Sequence, residues 1–231
     1  IGCVLLWLYY NGKLRKSFVI AGIAILCVVD MWSVNKRYLH DDQFVPRSAQ
    51  VDTFKKTQAD EIILQDTDLN YRVLSFSGVA FSENKTSYWH KSVGGYHAAK
   101  LRRYQEMIDR HISPEMQAAY RAIATAGGEM DSLDASKFRV LNMLNTKYFI
   151  LPAGQGQTVP IENPYAYGNA WFVNNVKYVD NANQEIDALN TILPIETAVV
   201  DARFKDILKG ITTAHKDSLS SVRLTSYEPN R

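Results

Sequence analysis

Apolar positions run unbroken through the first part of the chain and then break into short periodic groups. Ile1 to Tyr10 carries no charge, and Phe18 to Trp32 carries only Asp30, near its end. A helix lying on a protein surface needs a polar face, and none exists between Phe18 and Val29. Both runs therefore read as membrane helices, with an amphipathic or buried core helix as the alternative. The second run has about fifteen residues, short of the roughly twenty of a span, and Trp32 and Tyr38 can lengthen it at the interface. No basic region precedes the first run, so it does not look like a signal peptide, and it reads as a helix entered partway.

Beyond Leu39 the pattern changes. His40, Asp41, Asp42 and Gln43 precede Pro46, which suits a linker leaving the membrane. Asp52 to Gln65 has helical character, and Tyr71 to Phe76 alternates as a half-buried strand would. Leu101, Tyr104, Ile108 and Ile112 recur at helical spacing and predict a helix over Ala98 to Ile112. Ser113-Pro114-Glu115 predicts a new helix start and Gly127-Gly128 its stop. Asp134 should cap a helix reaching about Asn142, followed by a strand at Lys147 to Leu151 that Pro152 ends. A strand over Ala170 to Val179, a helix over Ala182 to Leu193 and a strand over Thr197 to Val200 complete the set. Ser221 to Tyr227 alternates once more, so a β-rich region is expected to follow. The whole reads as an α+β protein: membrane helices over 1–38, then a mixed extracytoplasmic domain over 39–231.

Charge adds direction to this picture. The net charge is only +2 over 231 residues, with 26 Lys and Arg against 24 Asp and Glu, which lacks the basic footprint of a nucleic-acid binder. The cations are clustered: Lys13, Arg15 and Lys16 lie between the two apolar runs, and by the positive-inside rule would be cytoplasmic, leaving everything after Tyr38 outside. Lys36 and Arg37 pull the other way. Cys3 and Cys27 sit inside the apolar runs and read as small buried or lipid-facing side chains, so no disulfide framework is expected.

The densest chemistry lies between Tyr88 and Tyr104, where Tyr88, Trp89, His90, Lys91, Tyr96, His97, Lys100 and Arg103 flank Gly94-Gly95. Lys91, Lys100 and Arg103 can offer donors to a phosphate or diphosphate, with His97 near a helix N-terminus. The aromatics offer flat faces for sugars or for packing. The plainer alternative is a solvated basic face with Arg102 and Arg103 paired to Glu106 and Asp109. His90 and His97 have no third ligand at a familiar spacing, so no metal site is assigned. No Gly-x-Ser-x-Gly elbow supports a nucleophilic serine, and Gly154-Gln155-Gly156-Gln157 lacks the context of a phosphate loop. Asp30, Trp32 and Asn35 mark the membrane boundary, where an acid is costly unless it reaches the interface or a polar cavity.

Three stretches taken together, Tyr88 to Tyr104, Leu141 to Ile150 and Asn163 to Val173, resemble the YfhO-type bacterial membrane proteins, and the likeness runs from Val28-Val29-Asp30-Met31-Trp32 to about Val200. The resemblance implies a polytopic protein of the bacterial cytoplasmic membrane, similar to GT-C glycosyltransferases. These transfer sugars from polyprenyl-phosphate carriers to glycan acceptors of the cell envelope. It also implies a catalytic acid in an early extracytoplasmic loop upstream of Ile1, so no catalytic residue is carried over. It implies no cofactor in this segment and leaves room for a divalent cation in the intact protein. A non-catalytic envelope scaffold is the alternative.

Overall fold

A computed structural model describes residues 1–48, 54–130, 133–213 and 219–228. The chain divides into two units, Ile1–Thr53 and Phe54–Arg231.

The first unit is a helical hairpin of α1 (Gly2–Tyr10) and α2 (Lys16–Tyr38). Gly12 turns the chain between them with φ +66°, and the Lys13 N–H donates to the Leu8 carbonyl at 2.9 Å. The helices meet closely at Gly22, where an added Cβ would lie 2.9 Å from Leu5 Cδ1. Only Val19 of α2 is buried. Phe18, Ile20, Ile25, Val28, Val29 and Met31 are exposed, a surface that water disfavours and a bilayer accepts. At about 1.5 Å per residue the 23 residues of α2 are about 34 Å long, enough to cross a hydrocarbon core of about 30 Å. Among the described residues α2 is the one helix long and apolar enough to do so. The expectation of two spanning segments is corrected to one, because the nine residues of α1 reach only about 14 Å.

The boundary residues lie along the last turns of α2. Asp30 is exposed, and its carbonyl accepts from Ser33 Oγ at 2.8 Å. Lys36 Nζ sits 5.9 Å from the Trp32 ring and 2.8 Å from Asp41, and the Asn35 carbonyl accepts the Leu39 N–H at 2.7 Å. Asp41–Gln43 forms a single 3₁₀ turn within the exposed linker. Cys3 and Cys27 are both free and exposed on this unit, so neither is buried.

The second unit is mixed α+β. Its main sheet has the order β1 (Arg72–Ser75), β2 (Thr146–Gly154), β3 (Gln157–Glu162), with β1 parallel to β2 and β2 antiparallel to β3. Both faces are covered, which is why Val73 and Leu74 are adjacent and both fully buried. Val73 packs with Ile150 beneath α3 (Gln58–Ile63), and Leu74 packs with Phe149 beneath the helices of the β1–β2 crossover. The helix expected from Asp52 appears only as α3, its first two positions lying outside the described residues. Strand β2 continues through Pro152 to Gly154 rather than stopping. Its neighbour β1 has already ended opposite Ile150, so the missing proline N–H removes no ladder bond on that side.

The crossover holds α4 (Lys85–Trp89), α5 (Arg102–Met107), α6 (Ser113–Thr125) and α7 (Arg139–Met143). Helices α5 and α6 are joined without a break by a π-helical turn, Ile108–Ile112, so the helix start expected at Ser113 does not occur. Proline 114 has no N–H to donate, and its ring would strike the carbonyl four residues back in a regular helix; the wider turn before it relieves that conflict. Asp134 does cap, accepting from the Ser136 N–H at 3.1 Å, and a 3₁₀ turn then leads into α7.

A smaller parallel pair follows, β4 (Asn175–Val179) and β5 (Thr197–Asp201), linked by α8 (Ala182–Ala188). The strand begins five residues later and the helix ends five residues earlier than expected, since Asn174 and Asn175 are the first residues to bond the Glu196 carbonyl. Residues 221–227 form no regular strand, and no neighbouring strand is present to supply a ladder among the described residues.

Candidate functional site

The Tyr88 to Tyr104 stretch folds into the edge of the main sheet. The Val73 N–H donates to the Lys91 carbonyl at 2.9 Å and the Val93 N–H to the Val73 carbonyl at 3.0 Å, so 91–93 lies along β1 as an extra edge. The glycine pair has a steric origin. A Cβ on Gly94 would lie 2.1 Å from the Ala80 carbonyl oxygen, and Gly95 has φ +104° with its N–H on that same oxygen at 2.6 Å. The Tyr104 hydroxyl closes the turn by donating to the Val93 carbonyl at 2.5 Å.

This geometry disperses the side chains. His90 is internal, its Nε2 2.9 Å from Asp60 Oδ1, with both side chains almost fully buried. Burial opposes the charge of Asp60, but the hydrogen bonds from His90 and Thr57 outweigh it and hold the carboxyl below its usual range. Trp89 donates to the Phe54 carbonyl at 2.9 Å and lies under Lys56, whose Nζ is 4.6 Å from its centroid. Tyr88 stacks on Phe54 at 4.6 Å. Lys91 reaches Asn70 Oδ1 at 2.7 Å and the Tyr227 ring. Tyr96 is exposed, and His97 Nδ1 accepts the Ala99 N–H at 3.1 Å. Lys100 lies over Phe81 at 5.2 Å. Of the eight residues the sequence singles out, Arg103 alone lines the apolar cavity beside α5.

That cavity is a cleft of about 620 Å³ between α5 and the β4–α8–β5 unit. Met107, Met143, Trp171, Leu189 and Ile192 give it an apolar wall, and Arg103, Glu106 and Glu185 supply its charges. Beside the cleft, two consecutive residues of the π turn reach α8. Arg110 pairs with Asp187 at 2.6 Å, and buried His111 meets the Ile186 carbonyl at 2.8 Å. A carbonyl only accepts, so His111 Nε2 carries the proton. Arg139 donates to the Ile192 carbonyl at 2.8 Å and Trp171 Nε1 to the Pro194 carbonyl at 2.9 Å, fixing the opposite wall. Arg102 pairs with Glu106 at 2.9 Å, leaving Arg103 as the cation of the cleft. Size, apolar lining and a few polar groups suit an amphipathic organic ligand. Sequence periodicity places Met107 and Ile186 on helices; the convergence of α5 with α8, joined by contacts from the π turn, has no sequence signal.

Two further groups carry perturbed acids. Glu115 accepts the Val140 and Leu141 N–H groups at 2.9 Å each, yet burial pushes its carboxyl up to about 7. Lys147 bridges Asp66 at 2.7 Å and Asp68, and Tyr148 donates to Asp66 at 2.8 Å. Burial works against the Lys147 charge, but its two carboxylate partners raise its pKa well above the lysine range. Both groups brace the fold: one joins α6 to α7, the other ties 66–68 to β2. No cluster of three or more metal-ligating side chains occurs among the described residues. No known family model, no curated protein and no solved structure matches the chain.

Proposed function

We propose that this chain is the membrane-anchoring end and extracytoplasmic domain of a polytopic protein of the bacterial cytoplasmic membrane, one that handles polyprenyl-phosphate-linked sugars during modification of envelope glycans. In this reading α2 is a span, and residues after about Tyr38 lie outside the cytoplasm. The observation that carries it is the apolar cleft with Arg103 in its lining, together with the unpaired apolar surface of α2. The cleft takes the start of the prenyl chain on Met107, Met143 and Ile192. Arg103 meets the phosphate, Trp171 offers an aromatic face to the sugar, and Glu106 and Glu185 accept from its hydroxyls. The glycan acceptor and any divalent cation belong to the intact protein.

The test uses full-length protein in membranes and a photoreactive prenyl-phosphate hexose. Arg103→Ala should weaken labelling by about tenfold, the loss of one charge-assisted hydrogen bond of roughly 1.5 kcal/mol. Met107→Trp, which fills the cleft, should abolish it. Undiminished labelling in both variants sinks the reading. A non-catalytic envelope scaffold is favoured by a different observation: most of the Tyr88 to Tyr104 side chains are spent on contacts inside the domain. Membranes with and without the protein separate the two, since only a transferase changes the glycan when absent.

A further inference from the structure

A second pocket, sharing no lining residue with the cleft, lies where the start of α3 meets the β2–β3 turn. It measures about 330 Å³ and is lined by Lys55, Lys56, Lys85, Thr57, Gln157 and Thr158, with Gly156 and Gln58 at its edge. Three lysines around so small a volume are mutually repulsive unless something negative sits among them. Two acids close in sequence are engaged elsewhere: Asp60 holds His90 and Thr57, and Glu83 accepts the Thr86 N–H at 3.0 Å. Among the described residues no carboxylate forms an ion pair with Lys55, Lys56 or Lys85. Lys56 meets the face of Trp89.

The second observation is Thr158. Its residue is 7% exposed, and its hydroxyl is buried without a hydrogen-bond partner. A buried hydroxyl left unsatisfied is disfavoured, and natural folds rarely keep one without a use for it. Thr158 belongs to the lining of the pocket, so its unused hydroxyl is a neutral donor at the pocket wall. We propose that this pocket binds a phosphate group, with Lys55, Lys56 and Lys85 supplying charge and Thr158 a neutral donor that fixes orientation. The volume admits a phosphate ester no larger than a small sugar phosphate. The phosphate comes from a free small molecule or from a lipid headgroup, and the chemistry of recognition is the same.

The experiment uses the full chain in phosphatidylcholine nanodiscs, titrated with inorganic phosphate by calorimetry at constant ionic strength. One saturable site is expected, weakened at least tenfold by Lys85→Ala and three- to tenfold by Thr158→Val. The valine variant gives a second readout of opposite sign: losing an unpartnered hydroxyl should raise the thermal midpoint of the phosphate-free protein while lowering phosphate affinity. The lipid source is tested with vesicles containing phosphatidylglycerol. Vesicle binding that falls in Thr158→Val supports a headgroup as the natural occupant. Phosphate binding that does not saturate, or affinity for phosphate and vesicles alike that is indifferent to Thr158→Val, overturns the proposal and leaves only a basic surface.

Discussion

Glu115 shows how one residue can be both a brace and a liability. Its carboxylate caps the first turn of α7, and it sits where water is scarce. Its folded pKa, about 7, lies above the unfolded value near 4.5. A raised acid binds its proton more tightly when folded, so its contribution is complete below pH about 4.5 and is lost as pH rises toward 7. The Glu115→Gln variant keeps a hydrogen-bonding side chain and cannot ionise. Urea midpoints measured from pH 4 to pH 8 should therefore fall less steeply in Glu115→Gln than in the parent, and equal slopes would show that Glu115 does not titrate in this window. The glycine pair is the opposite kind of residue. Its sequence density invited a chemical reading, but the constraint on Gly94 is the carbonyl of Ala80 lying where a side chain would begin.

At the scale of elements, the π turn is the piece that ties α5 and α6 to α8. Replacing Pro114 by Ala restores an N–H and removes the clash, allowing Ile108–Ile112 to tighten into a regular helix. Tightening rotates Arg110 and His111 away from α8. Amide exchange in Ala182–Ala188 should then speed up by about tenfold, the equivalent of one lost hydrogen bond; unchanged protection would mean that the turn does not place these side chains. The same element marks the limit of sequence reading. Apolar periodicity located β1, β2, β5 and most helices, because each buries a face whose spacing is written in the chain. Ser113-Pro114 looked like a beginning because a proline in the first turn and a proline inside a widened helix leave the same local pattern. Asn142, Asn145 and Asn163 lie within two of the stretches that prompt the resemblance, and the structure uses them as a buried polar brace: Asn163 donates to Asn142 at 2.8 Å, and Asn145, at φ +56°, donates to the Asn70 carbonyl at 2.8 Å. The cleft was least legible, since its walls come from segments more than sixty residues apart and only Arg103 had stood out.

For the whole molecule, the contrast is between a helix with apolar surface on every side and a domain with its own core. The first presents an apolar surface that lipid would cover, and the second buries its own. Full-length protein should stay with membranes after an alkaline carbonate wash. An Ile25→Arg substitution near the middle of α2, costing about 2.5–3.5 kcal/mol of insertion, should shift a measurable fraction into the supernatant. Retention of all the variant would show that α2 is not the anchor.

The parallel pairing of β1 with β2 has one more consequence, for the order in which the protein is made. Arg72 must wait for Thr146, and the sheet is completed only when Glu162 has left the ribosome, 124 residues after Tyr38. At about 5–20 residues per second this takes roughly 6–25 s. Throughout that interval α2 is already synthesised and free to insert, while Val73 and Leu74 wait without a partner strand. Newborn chains therefore spend seconds as open polypeptides, and the period of greatest exposure to proteases and to wrong strand partners falls in that interval.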